Sequence, residues 1–164
     1  MLEKNDIEET GAVALANAIG NNQTVRKLVL KGNAISVCNG PGAAAKALGE
    51  MLLQNQMLEV LDLSLCSIGN KGGVEIGNGL VENSTLKELL LGKNSLGGGS
   101  NIGFISGLCK NSSLAVLHIN ANCFGADGMK CGEFPLQKPS NPPPNSSISI
   151  CQKIHLHSRQ LSTP

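Results

Sequence analysis

The sequence predicts an α/β solenoid, assembled from stacked copies of one strand-and-helix unit. Four segments share the spacing L-x-x-L-x-L-x-x-N/C: Val25-Arg-Lys-Leu28-Val-Leu30-Lys-Gly-Asn33, Leu58-Glu-Val-Leu61-Asp-Leu63-Ser-Leu-Cys66, Leu86-Lys-Glu-Leu89-Leu-Leu91-Gly-Lys-Asn94 and Leu114-Ala-Val-Leu117-His-Ile119-Asn-Ala-Asn122. Their first positions, Val25, Leu58, Leu86 and Leu114, recur with a period of roughly 30 residues, the mark of a repeat architecture. The phase also holds outside these segments. Asn22, Asn55, Asn83 and Asn111 each stand just before one, at the same offset, and a helical turn or two further back come Leu15, Leu48, Ile76 and Phe104, again in register. Composition agrees: 164 residues with 41% apolar and 15% charged suffice for one modest domain and not two.

The elements follow in order. Leu2 and Asn5 sit one copy before Leu30 and Asn33, so the chain opens on the stump of a strand. Leu15 and Ile19, four apart, then define one face of a helix,. In the strand that follows, Leu28 and Leu30 point to the same side because side chains alternate along a strand. Leu61 and Leu63, Leu89 and Leu91, and Leu117 and Ile119 repeat this, while Leu48 and Leu52, Ile76 and Leu80, and Phe104 and Leu108 give the later helices. Each buried Leu contributes about 1.5–3 kcal/mol, and no single unit can bury its own, so stacking supplies the missing wall. The first full repeat is the longest, and its excess sits in the turn-rich stretch 36–42, where a loop bulge is expected,. Gly77 and Gly79, then Gly103 and Gly107, interrupt the helix halves of the next two repeats. At about 1 kcal/mol each relative to Ala, they predict the softest helices of the body.

These four copies resemble the leucine-rich-repeat family, and specifically its long-repeat subclass typified by ribonuclease inhibitor. The resemblance covers residues 1–129, taken as one repeat domain of a partial first repeat and about four further ones. It implies a right-handed horseshoe with short parallel strands on the concave face and helices on the convex face. It also implies a polar cap on the first repeat, which the opening stump lacks. Phe124-Gly125-x-x-Gly128 begins another convex segment in phase with Ile68-Gly69-x-x-Gly72, and then the pattern stops. Residues 130–164 hold six of the seven Pro and a Ser-rich run, which predicts an extended, disordered tail with one locally apolar stretch, Ile148–Leu156. Uncapped arrays of about four repeats lie near the lower limit of solenoid stability, so the expectation is a fragment, or an end that does not represent the repeat domain.

The column Asn33, Cys66, Asn94, Asn122 lies where the chain leaves each strand and its backbone turns inward without a sheet partner. Asn both donates and accepts, so successive copies are expected to form a hydrogen-bonded ladder. Cys66 takes that place as a small buried thiol, a structural role. Asn22, Asn83, Asn111 and Asn145 each open an N-x-[ST] sequon. The first three share one repeat position after a helix, where Asn suits a left-handed C-cap, so the repeat accounts for them without a glycan.

Several function classes are disfavoured. The formal charge is +1 overall, −1 through Lys130 and +2 beyond, too little for a nucleic-acid surface. Aromatics are 2% with no Trp or Tyr, so base- or sugar-stacking platforms are lacking,. The acidic start Met1–Glu9 is unlike a signal peptide, and no window approaches the ~18 apolar residues of a membrane span. The six Cys are therefore read as mostly reduced thiols of a cytoplasmic protein,. Gly40-Pro-Gly42-Ala-Ala-Ala45 matches G-x-G-x-x-A, but Pro41 and the repeat register favour a plain loop over a dinucleotide turn,. Cys151, His155 and His157 have ligand-like residue types without the second clustered pair a structural zinc site needs. No constellation pairs a nucleophile with a base. Neither cofactor, metal nor small-molecule substrate is expected.

With the core Leu pointing inward, the residues between and beside them line the opposite strand face: Lys27, Val29, Lys31; Val60, Asp62, Ser64; Glu88, Leu90, Gly92; and Val116, His118, Asn120. Aliphatic positions edged by charges of both signs suit protein recognition. The sequence is thus read as a non-catalytic module that binds another protein. Two alternatives come from resemblance at subclass level. One is a regulator of a small GTPase like the Ran GTPase-activating proteins, for which Arg26 is the body's single arginine. The other is the sensor fragment of a nucleotide-binding immune-type receptor.

Overall fold

In the computed structural model, residues 1–35, 42–97 and 102–123 are described. The elements alternate as predicted: α1 (Glu9–Gly20), β1 (Lys27–Val29), α2 (Ala43–Gln54), β2 (Val60–Asp62), α3 (Gly69–Leu80), β3 (Glu88–Leu90), α4 (Ile102–Lys110) and β4 (Val116–His118). The four strands form one parallel sheet in the order β1-β2-β3-β4. Its register equals the sequence period: Leu28 pairs with Leu61, Leu61 with Leu89, and Leu89 with Leu117. Each strand is short, yet the ladder continues past it, with Leu30 N–H donating to Asp62 O, Leu63 N–H to Leu90 O and Leu91 N–H to His118 O. The stretch 36–41, the Phe124–Met129 phase match and the tail 130–164, with its Cys and His, lie outside the described residues.

The core is the spine that the repeat requires. Leu30, Leu63 and Leu91 are fully buried, as are Leu61 and Leu89, against Leu48, Leu52, Ile76, Leu80 and Phe104 of the helices. Burial weakens at both ends, where Leu15 and Ile19 of α1 and Leu117 and Ile119 in and after β4 pack on the core only partly. Among the described residues the first and last units pack against one neighbour instead of two, which leaves their burial incomplete,.

The turn leaving each strand has one geometry throughout. Lys4, Leu65, Lys93 and Ala121 all adopt a left-handed backbone at the residue before the Asn or Cys, as Gly32 does at φ 74°. Gly takes that conformation without the Cβ clash that the other residues meet. From Gly32 onward the left-handed residue precedes a side chain turned inward, whereas Asn5, after Lys4, stays exposed.

The inward Asn side chains form the expected ladder. Asn33 Oδ1 accepts Asn5 and Ile7 N–H, while its Nδ2 donates to Leu2 O and Leu30 O. Asn94 Oδ1 accepts Cys66 and Ile68 N–H and its Nδ2 donates to Leu63 O. Asn122 repeats this on Asn94, Leu96 and Leu91. Cys66 breaks the series: its Sγ donates to Leu30 O, and Ile35 N–H bonds instead to Asn33 O in its own turn. Burial pushes the Cys66 thiol up to about 11, Asn33 and Gly32 N–H groups offsetting this in part.

The second column of Asn differs from the C-cap reading. None of Asn22, Asn55, Asn83 and Asn111 is left-handed; Asn55 is extended, with φ −79° and ψ 128°. Its Oδ1 accepts Met57 and Leu58 N–H at 2.8 and 2.7 Å, an Asx-type turn into the strand,. Its Nδ2 crosses to the previous repeat, donating to Ile19 O and Asn22 O. Asn83 and Asn111 do the same toward Leu52, Asn55, Leu80 and Asn83. The stack therefore has an Asn ladder at each end of its strands, and a glycan on buried Asn83 would be incompatible with it.

The glycines of the helices have a packing reason that propensity does not reveal. A Cβ at Gly79 would lie 2.9 Å from Gly49 Cα, and one at Gly107 would lie 2.7 Å from Gly77 Cα. α2 meets α3, and α3 meets α4, backbone to backbone at these points. At the first interface, Glu9 of α1 reaches over to accept Ala43 N–H at the start of α2, where an acidic group is favoured by the helix dipole.

Candidate interaction surface

Parallel register sorts the strand-face residues into rows. Lys27, Val60, Glu88 and Val116 form one row, and Val29, Asp62, Leu90 and His118 the next. A third row holds Lys31, Ser64, Gly92 and Asn120, with Gly32 N–H donating to Ser64 O, Leu65 N–H to Gly92 O and Lys93 N–H to Asn120 O. All of this grid reaches solvent except Val29 and Gly92. Val29 is only 7% exposed: Leu2 N–H and Lys4 N–H bond to Val29 O and Lys31 O, so the opening stretch runs alongside β1 and the turn after it. Gly92 is buried because the Asn120 side chain lies over it. Val116, at 39% exposure, is the most open aliphatic residue of the grid.

Charges on the face are largely paired or scattered. Arg26 Nη1 meets Glu59 Oε1 at 2.6 Å with both side chains exposed, and Lys31 Nζ lies 3.3 Å from Glu3 Oε1. Exposed pairs of this kind contribute little to stability. The Asp62 carboxylate accepts Ser64 N–H, which orients it along the face. Among the described residues, no three His, Cys, Asp or Glu side chains group as metal ligands, and no helix is long and apolar enough to cross a membrane.

The sequence reading missed one exposed apolar residue near this face. Leu65 is 44% exposed in the exit turn, held left-handed at φ 58°. Its only sequence signal is an aliphatic residue in the place that Gly32 takes one repeat earlier.

Known proteins agree with this architecture. A family model described as Leucine Rich repeat matches residues 54–77, which span the end of α2, β2 and most of α3. The solved structure of the Leiomodin-1 actin-binding site 2 superposes with a TM-score of 0.63, covering 98% of this chain and 87% of that one at 18% identity. The fold is a leucine-rich-repeat solenoid. No curated protein matches the chain.

Proposed function

We propose that this leucine-rich-repeat chain is a non-catalytic protein-interaction module that engages its partner through the strand face. The carrying observation is the grid itself. Val60, Leu90 and Val116 are accessible aliphatic side chains on rigid, hydrogen-bonded strands, edged by Lys27, Asp62, Glu88, His118 and Asn120. Apolar positions within a polar surround are the composition of protein interfaces, and a surface preorganised by the ladders loses little entropy on binding. The long repeats, each bearing a full helix, support the ribonuclease-inhibitor-like subclass. Cys66 and Cys123, which form no disulfide among the described residues, fit a cytoplasmic protein,.

Substitutions separate face from fold. Val60→Glu and Leu90→Glu are expected to abolish capture of partners from a cell lysate while leaving the circular dichroism spectrum unchanged. Leu53→Glu, on the exposed side of α2, is expected to retain capture, and Leu61→Asp to unfold the chain. Loss of fold in the first two variants, or unchanged capture, would overturn the face assignment. Monomeric actin is the first purified partner to try, because the Leiomodin-1 structure of the same fold is an actin-binding site.

A further inference from the structure

The strand-face grid has an order that its composition does not show. Register sets Lys27 opposite Val60, Val60 opposite Glu88 and Glu88 opposite Val116. In the next row Val29 lies opposite Asp62, Asp62 opposite Leu90 and Leu90 opposite His118. The aliphatic residue therefore changes row at every strand. Val29, Val60, Leu90 and Val116 trace one zigzag across the sheet, and Lys27, Asp62, Glu88 and His118 trace the other, so each strand offers one residue of each kind.

The polar zigzag is ordered by sign and is not neutralised from within. Lys27 is basic on β1, and Asp62 and Glu88 are acidic on the two inner strands. Arg26 pairs with Glu59 and Lys31 with Glu3, but Lys27, Asp62 and Glu88 form no ion pair among the described residues. Asp62 and Glu88 are diagonal neighbours, close enough for long basic side chains to serve both. Spacing narrows what can match the two zigzags. Neighbouring strands lie about 4.8 Å apart, whereas an extended partner crossing them repeats its same-side residues every ~6.7 Å and falls out of step. One face of an α-helix recurs every 3 to 4 residues, or about 5.3 Å along its axis. Across the three gaps of this sheet a helix drifts by only about 1.5 Å. Its width of about 10–12 Å also spans both rows.

We propose that the strand face takes an amphipathic helix of a partner protein, laid across the strands. Aliphatic residues of that helix cover Val60, Leu90 and Val116, basic residues stand over Asp62 and Glu88, and an acidic residue stands over Lys27. The stems of the basic side chains pack along Val60 and Leu90 while their heads reach the carboxylates, as long cationic side chains do. Val29 adds little, since the opening stretch covers it, so the apolar contact lies toward β4, where Val116 is the most open aliphatic residue of the grid. The inference rests on the strand face being the binding surface and adds the chemistry of what that face binds.

Fluorescence anisotropy of the full chain with two labelled peptides tests the fit. Each is an alanine-based helix of about 18 residues, long enough to hold helical structure in water, with one lane of leucines. Beside that lane the first carries Glu, Lys and Lys at successive turns, and the second carries Lys, Glu and Glu. The first is expected to bind at least tenfold more tightly at low salt, with a preference that shrinks as salt rises. Asp62→Asn with Glu88→Gln is expected to remove most of the preference, and Asp62→Lys with Glu88→Lys to invert it, circular dichroism reporting that both variants stay folded. Absence of binding by either peptide, equal binding of both, or a preference that Asp62→Asn with Glu88→Gln leaves intact would overturn the proposal. In each of those cases, loss of partner capture in Val60→Glu and Leu90→Glu would leave the strand face standing as the binding surface, and only capture unaffected by them would remove it.

Discussion

Strand pairing and helix packing solve the same stacking problem with different tolerances. Along the strands every copy makes the same bonds: Leu30 to Asp62, Leu63 to Leu90 and Leu91 to His118, flanked by Asn side chains that cross to the previous repeat. Along the helices the three interfaces differ. α1 and α2 bury Ala16 and Met51, whereas α2 meets α3 through Gly49 and Gly79, and α3 meets α4 through Gly77 and Gly107. Hydrogen bonds demand fixed distances and angles, so the strand layer can repeat only one arrangement. Packing demands complementary volumes, so the helix layer varies provided that neighbours compensate each other.

Removing a rung of the strand-side ladder should therefore have the largest effect. Asn94→Ala leaves the buried Cys66 and Ile68 N–H groups and Leu63 O without their side-chain partner. Each unsatisfied buried group costs about 1–3 kcal/mol, so the total exceeds roughly 3 kcal/mol of a stability that is seldom above about 15. The urea midpoint, read by circular dichroism, is expected to fall steeply. A change under about 1 kcal/mol would show that the ladder is dispensable and erase the contrast between the layers.

A smaller effect of informative sign is expected in the helix layer. By helix propensity alone, Gly77→Ala and Gly107→Ala gain about 1 kcal/mol each. Their Cβ atoms would instead press into the neighbouring helix, Gly77 toward Phe104 Cα and Gly107 toward Gly77 Cα, and overpacking costs about 1–3 kcal/mol. Both variants are expected to unfold at lower urea than the wild type. Asn78→Ala, on the exposed side of α3, is the control that keeps the propensity gain without the contact. If the glycine variants were stabilised along with Asn78→Ala, the helix layer would be softer than its backbone contacts imply.

The two layers were also unequally legible in the sequence. Leu28 and Leu30 show their inward direction through period two alone, and Asn33 shows its role through its place after the strand, because both are local facts. Asn55 is a different matter: an Asn after a helix suits either a left-handed cap or an Asx turn. What decides between them is Ile19 O, in the preceding repeat. The glycine contacts are similarly non-local. The repeat equivalent of Gly49 is Gly77, and that of Gly77 is Ile105. Yet Gly49 meets Gly79, and Gly77 meets Gly107, because neighbouring helices touch along offset faces. Of the strand-face grid, the alternation was visible, but the cover over Val29 depended on the stretch 1–4 pairing with β1.

The interruption at Cys66 tests how strictly the strand layer enforces its rule, with the smallest expected change. The sulfur donates to Leu30 O but does not draw Ile35 N–H across the repeat as an Asn oxygen would, and that N–H turns back to Asn33 O. Cys66→Asn restores the missing acceptor in a position that Asn already fills at 33, 94 and 122, and is expected to raise stability by up to about 1 kcal/mol. Its pH dependence separates the thiol from the packing. The folded thiol is raised from 9.0 to about 11, so folding favours the protonated form; that contribution is complete below pH 9 and is lost as pH rises toward 11. Wild type is expected to lose stability relative to Cys66→Asn across that window and not below it, measured as the difference in urea midpoint at each pH. A constant difference from pH 7 to 11 would mean that Cys66 is reached by water, and that the ladder at this rung is open rather than merely altered.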